Sequence, residues 1–133
     1  MTRSSTLPGQ WALPDNSRIT SKQYSFRLPV HVAAKIAALC EMYPERSRTE
    51  IVGDLLAEAL AAVEGSFAPA KGKKFGESPD TGEMMYEDVG HGAQFRELAN
   101  RRYREIEKEM GNEKPKPLYS GTLVLYESDL KEK

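Results

Sequence analysis

The chain has few of the side chains from which metal centres, disulfide frameworks and catalytic sites are built. Its 133 residues include one cysteine and two histidines, and none of the three has a neighbouring ligand at metal-site spacing. We therefore expect no disulfide framework, no metal site and no cofactor. No carboxylates pair on a common predicted helix face, so no catalytic arrangement emerges and we expect a protein that is not an enzyme.

Long apolar runs are absent as well. No segment approaches the ~20 apolar residues that a membrane-spanning helix needs. The first residues, MTRSSTLPGQWALPDNSR, lack the apolar core of a secretory signal. These absences predict a cytoplasmic protein without a membrane partner.

The clearest pattern lies in residues 22–64, and it opens with a strand signal. From residue 23 to residue 28, polar and apolar side chains alternate. Because successive side chains of a strand point to opposite faces, one set can enter a core while the other faces outward. The apolar set is Tyr24, Phe26 and Leu28, and the polar set is Gln23, Ser25 and Arg27.

Two amphipathic helices are predicted after this strand. The first spans about residues 30–43, because it follows Pro29 and stops before Pro44. The second spans about residues 47–64, where Ser47 and Glu50 have the spacing of a capping box. The first helix has one apolar face, formed by Val32, Ile36, Leu39, Cys40 and Tyr43. The second has a wider apolar stripe, formed by Ile51, Val52, Leu55, Leu56, Ala59, Leu60 and Val63.

One strand and two short helices bury little apolar surface. Residues 22–64 lie near the lower size limit for a self-sufficient core, roughly 40 residues. A second copy of the chain can supply a partner strand across a two-fold axis. The paired strands then present Gln23, Ser25 and Arg27 twice, and a two-stranded ribbon fits the major groove, where these side chains can bond base edges.

Charge is distributed unevenly, although the net charge is −1. Residues 1–35 contain five basic side chains and one acidic side chain, whereas residues 36–70 contain two basic and six acidic ones. Positive charge thus gathers near the predicted strand and the start of the second helix. The free amides at that helix start also favour an anion. The predicted phosphate-binding residues are Lys22, Arg46, Ser47, Arg48 and Thr49.

The run from Gln23 to Pro29, followed by the Ser-x-x-Glu helix start, resembles the ribbon-helix-helix (Arc/MetJ-type) family of DNA-binding proteins. The resemblance covers about residues 22–64. It implies an intertwined dimer whose antiparallel ribbon enters the major groove. It also implies base reading by Gln23, Ser25 and Arg27 and a phosphate clamp at Ser47 and Arg48.

The remaining segments are interpreted from their composition and periodicity. We expect a flexible N-terminal arm over residues 1–21, a DNA-binding and dimerisation domain over 22–65 and a linker over 66–92. Residues 93–133 are predicted to be an interaction or oligomerisation region with a helix over about 93–110 and a strand over about 118–126. The predicted fold is mainly α, with a short ribbon strand over about 23–28.

These features predict a sequence-specific transcriptional regulator that acts as a repressor. Its expected partners are double-stranded DNA and a second copy of the chain, with higher-order assembly on DNA and a protein partner for the C-terminal region left open. An antitoxin with a toxin-binding C-terminal region is one alternative, and plasmid partition and conjugation accessory roles are others. A protein-interaction or dimerisation module without DNA binding is an alternative from another class.

Overall fold

A computed structural model describes residues 15–130 of the chain. Most of the predicted N-terminal arm and the last three residues lie outside that range. The described residues form α1 (Val30–Met42), α2 (Arg48–Ser66), β1 (Lys71–Glu77), β2 (Met84–Asp88), α3 (His91–Glu109), β3 (Val124–Tyr126) and α4 (Glu127–Leu130). They divide into two compact units, with the boundary between Leu60 and Ala61. No helix within this range is long and apolar enough to cross a membrane.

Helices and a small antiparallel sheet make this a mixed fold, whereas a mainly α fold was predicted. The three long helices lie within two residues of their predicted bounds. The difference comes from residues 66–92, which were predicted to be a linker and which contain β1 and β2. Lysine and glycine dominate β1, and this composition conceals a strand when only sequence is considered.

In the first unit, residues 22–29 form no strand ladder within the described chain. The rings of Tyr24 and Phe26 are nevertheless parallel within 2°, with centroids 6.3 Å apart. Two residues of an extended chain advance about 6.6 Å, so this spacing is that of neighbours on one face of an extended segment. The predicted ribbon strand requires a second copy and stays a prediction.

The predicted apolar face of α1 is confirmed for most of its residues. Val32, Ile36, Leu39 and Cys40 are half-buried, while most other α1 side chains are exposed. Tyr43, which follows the helix as its C-cap, is 46% exposed. Its amide donates to the carbonyl of Leu39, which closes the helix one residue before Pro44. Helical periodicity therefore located this face correctly.

The second unit is built on a three-stranded antiparallel sheet in the order β1-β2-β3. The strands β1 and β2 form a hairpin, and β3 pairs with the other edge of β2, with Tyr86 opposite Leu125. The predicted strand 118–126 is thus limited to residues 124–126. Upstream, Gly121 has a φ of +82°, and the backbone of Tyr119 bonds to a side chain of α3 instead of a strand.

A close backbone crossing fixes the hairpin to the start of α3. Asp88 Oδ1 accepts the amides of Ala70, at 3.0 Å, and of Gly90, at 2.9 Å. A Cβ on Gly90 would lie 2.5 Å from the carbonyl oxygen of Ala68, which is backbone and cannot rotate away. A Cβ on Gly72 would lie 2.7 Å from Cγ1 of the Val89 side chain and 3.0 Å from the carbonyl oxygen of Glu87. The close approach of backbone segments therefore requires glycine at Gly90, while a side chain at Gly72 needs a shift of Val89.

Candidate nucleic-acid interface

The predicted base-reading residues lie in the extended segment that precedes α1. Every residue from 21 to 30 is exposed, including Gln23, Ser25 and Arg27. The apolar side chains between them are exposed too, with Phe26 at 73% and Tyr24 at 55%. Both faces of this segment are therefore open in the single chain.

The predicted capping box at the start of α2 is confirmed. Ser47 Oγ accepts the amide of Glu50 at 3.0 Å, and the amide of Ser47 donates to Glu50 Oε1 at 2.8 Å. Between them, the amides of Arg48 and Thr49 have no acceptor among the described residues. The helix start thus offers two exposed N–H donors at the positive end of the helix dipole, which is the arrangement that binds an anion.

Arg46, beside this helix start, is already paired. Its Nη2 donates to Asp54 Oδ2, and Asn16 Nδ2 donates to Asp54 Oδ1 at 3.1 Å. The side chains of Arg46 and Asp54 are 47% and 42% exposed, and exposed pairs of this kind contribute only about 0.2–1 kcal/mol. A phosphate can therefore compete for Arg46, whereas Arg48 and Lys22 form no ion pair with any described residue.

The predicted site residues fall into two groups. Arg46, Ser47, Arg48 and Thr49 are brought together at the start of α2, and the other group lies in the extended segment, Lys22 to Arg27. Within the described chain, no hydrogen bond or ion pair joins the two groups. Each group is therefore positioned by its own element.

Little of the first unit's apolar surface is buried. Ile51, at 8% exposure, is its one buried apolar residue within the described range. It lies in a shallow depression with Leu39, Tyr43 and Leu55. Much of the remaining stripe of α2 stays open, since Leu55, Leu56 and Leu60 are between 43% and 53% exposed. One buried side chain cannot offset the conformational entropy of ordering two helices.

Sequence reasoning missed a set of polar side chains on the inner face of α3. Asn100 is bidentate to the backbone of Tyr119, since its Nδ2 donates to the carbonyl at 3.0 Å and its Oδ1 accepts the amide at 2.8 Å. Glu107 is only 4% exposed. Together with Arg96, these residues recur at helical spacing on one face of α3. That spacing was the available signal for their face of the helix.

Tyr119 packs in an aromatic cluster next to α3. Its ring lies 6.2 Å from that of Phe95, and the guanidinium of Arg96 lies 4.9 Å from its centroid. Burial disfavours the phenolate, and Glu64 accepts the hydroxyl, so the pKa of Tyr119 is raised to about 12, with Arg96 opposing the shift. The cluster is completed by Phe67, 5.5 Å from Phe95. It holds the segment before β3 onto the helix.

Comparison with protein-family models, curated proteins and solved structures gave no match to this chain. The ribbon-helix-helix resemblance therefore rests on the sequence of residues 22–64 alone.

Proposed function

We propose that this protein is a sequence-specific DNA-binding transcriptional regulator that acts as a repressor. In this proposal two copies pair residues 23–28 into an antiparallel ribbon, which enters the major groove. The observation that carries the proposal is the extended segment itself, which exposes a polar face and an apolar face at once. A single chain gives neither face a partner within the described residues.

Dimerisation accounts for the uncovered apolar surface of the first unit. Pairing across a two-fold axis would place Tyr24, Phe26 and Leu28 of each copy above the helices of both copies. Full burial of a large apolar side chain contributes roughly 1.5–3 kcal/mol. The side chains of α2 that stay open in one chain, including Leu55 and Leu56, would supply the other half of that core.

DNA recognition then divides between the two groups of polar residues. On the outer face of the ribbon, Gln23, Ser25 and Arg27 would meet base edges, with arginine suited to guanine. At the start of α2, the free amides of Arg48 and Thr49 would bind a phosphate, and the arginine side chains would add charge. The second unit, with its own sheet and helix, would serve oligomerisation or effector input.

The proposal is tested by selecting duplexes from a random pool and measuring their binding by fluorescence anisotropy. Wild type is compared with a Gln23→Ala, Ser25→Ala, Arg27→Ala triple variant at two salt concentrations. We expect wild type to select a palindromic or repeated motif. The variant should lose this preference yet keep its salt-dependent, sequence-independent affinity, because its phosphate-binding residues are unchanged.

Sedimentation of both proteins provides the control, since the triple variant retains every apolar residue of the ribbon and should stay dimeric. If no motif emerges and the two proteins bind every duplex alike, the ribbon does not read bases. In that case the extended segment forms only the dimer interface of a protein-interaction module, and the proposal fails.

A further inference from the structure

The edge strand β1 carries three lysines close together in sequence. Lys71, Lys73 and Lys74 are all exposed, and none forms an ion pair with any residue between 15 and 130. Asp88 lies opposite Lys71 in the ladder, but its Oδ1 accepts the amides of Ala70 and Gly90 and forms no ion pair with a lysine of the described chain. Three like charges within four residues repel one another, so a bound polyanion would lower the free energy of this strand.

Aromatic rings accompany these lysines. Phe75 directly follows them and is 49% exposed. Tyr86 of β2 lies opposite Lys74 in the ladder, and Lys71 Nζ is 4.3 Å from the centroid of its ring. Lysine and aromatic side chains thus lie close together on the edge strand β1 and on the neighbouring strand β2. This combination is typical of surfaces that bind single-stranded nucleic acid.

Two irregularities in the β1–β2 ladder occur within the same segment. The register shifts between Lys71 and Lys74 and again between Lys74 and Gly76. Such bulges redirect side chains, and the second one leaves Phe75 outside the regular pairs. Protection of a sheet edge from aggregation explains lysines on β1, but an exposed phenyl ring works against that purpose.

We propose that the β1 patch, defined as Lys71, Lys73, Lys74 and Phe75, binds single-stranded nucleic acid. The ammonium groups contact successive phosphates, and the ring of Phe75 stacks on an unpaired base. A duplex keeps its bases inside the helical stack and offers that ring no base face. The β1 patch is therefore a second nucleic-acid site, and it does not depend on the duplex recognition proposed for residues 22–49.

The test measures anisotropy of a labelled oligothymidylate of about 15 nucleotides, which is within the usual site size, with the full chain. A Lys73→Gln, Lys74→Gln variant should bind more weakly, and its salt slope should fall by about 1.4, or about 0.7 for each lost contact. Phe75→Leu keeps apolar bulk but removes the aromatic face, and it should lose roughly fivefold or more in affinity. Phe75→Trp should retain binding.

The matched control is Lys114→Gln, Lys116→Gln, which removes the same charge from two exposed lysines after α3. It should bind the oligonucleotide within about twofold of wild type, since the charge lost outside the patch adds only a screened effect. Circular dichroism checks that all variants are folded. Because Phe75 is half exposed, its replacement leaves the core intact.

Several results would overturn the inference. If the control variant loses as much affinity as the Lys73 and Lys74 variant, only overall charge matters. If Phe75→Leu binds like wild type, no base stacks on the ring. If the Gln23, Ser25, Arg27 triple variant loses single-strand binding, the site lies in the first unit. If wild type selects no duplex motif yet binds the oligonucleotide, only the proposed repressor function is refuted.

Discussion

At the scale of single residues, the two arginines of the candidate interface differ in what they are free to contact. Arg27 projects from an extended segment with no partner among residues 15–130, and Arg48 sits in the first turn of α2 beside free amides. A base contact carries sequence information, whereas a phosphate contact adds affinity on every sequence. The proposed function therefore assigns them different roles.

Replacement of each arginine tests this division. Arg27→Ala should cost roughly 1–3 kcal/mol on the preferred duplex and relax the preference at one base position. Arg48→Ala should weaken binding on all duplexes and reduce the salt slope by about 1. The measurement is anisotropy on the preferred duplex and on duplexes with single base changes.

Asp54 provides the control for these variants, because it holds the neighbouring Arg46. Asp54→Asn removes the charge that competes with phosphate but keeps a hydrogen-bond acceptor, so it should not weaken binding. Identical affinity losses and unchanged base preference for Arg27→Ala and Arg48→Ala would contradict the division of roles.

At the scale of elements, the contact between α3 and the segment before β3 responds to pH. Tyr119 has its pKa raised from 10.0 to about 12 by burial and by its bond to Glu64. The folded chain thus binds more protons than the unfolded chain in this interval. The contribution of Tyr119 to stability is complete below pH 10 and is lost as the pH rises towards 12.

Tyr119→Phe should therefore remove part of the alkaline loss of stability. At pH 9 the variant should be about 0.5–1.5 kcal/mol less stable, because it lacks the bond to Glu64. This deficit should shrink as the pH rises through 10 to 12, the interval in which Tyr119 titrates. Urea unfolding at a series of pH values measures both effects.

The matched control for this prediction is Tyr126→Phe, on the exposed side of β3, where the ring is 38% exposed. It removes a tyrosine hydroxyl without removing the contact with Glu64, so it should not reproduce the shrinking deficit of Tyr119→Phe. If both variants show the same pH dependence, the alkaline response does not come from Tyr119.

The elements also differ in how well the sequence predicts them. Helical periodicity and the capping box predicted α1, α2 and α3. Apolar side chains spaced three or four residues apart line one face of a helix and of no other regular secondary structure. The strand β1 escaped prediction since two bulges break its alternation and its residues are mostly lysine and glycine. Prediction of Asn100 failed for another reason: helical spacing places it on the inner face of α3, but its partner is a backbone 19 residues away, which local spacing does not identify.

Only part of the candidate interface was predicted from the sequence. The reciprocal bonds of Ser47 and Glu50 follow from their spacing, and the structure contains them. The ion pair of Arg46 with Asp54 was not predicted. It joins the turn before α2 to a residue in the second turn of that helix, and local spacing does not indicate this contact. The pairing of residues 23–28 with a second copy cannot be observed in a single chain and stays a prediction.

At the scale of the whole molecule, the two units differ in how much of their surface they leave uncovered. The second unit buries Met85, Leu125 and Glu107, while the first buries only Ile51 among the described residues. If the first unit folds only as a dimer, its unfolding is linked to dissociation. The midpoint of such a transition depends on protein concentration.

We therefore expect the unfolding temperature of wild type to rise by a few degrees for each tenfold increase in concentration. Such an increase stabilises a dimer by about 1.4 kcal/mol. Phe26→Ser, which removes an apolar residue of the proposed ribbon, should lower the unfolding temperature and the dimer population. Scanning calorimetry and sedimentation are the two measurements.

Phe75→Ser is the matched control, because Phe75 is also an exposed phenylalanine but belongs to β1. It should leave the dimer population as in wild type. A transition independent of concentration in wild type, with sedimentation as a monomer, would contradict the dimer and with it the ribbon.

The crossing held by Asp88 has a consequence for how this fold is to be traced in other genomes. Exposed side chains can be replaced at little cost, whereas a Cβ at Gly90 would collide with the Ala68 carbonyl. A homologue that retains the hairpin is therefore constrained to glycine at this position, with an acceptor two residues before it, and a small residue is favoured at Gly72. Distant descendants are identified by that sparse signature, even where the lysines and apolar stripes have been replaced.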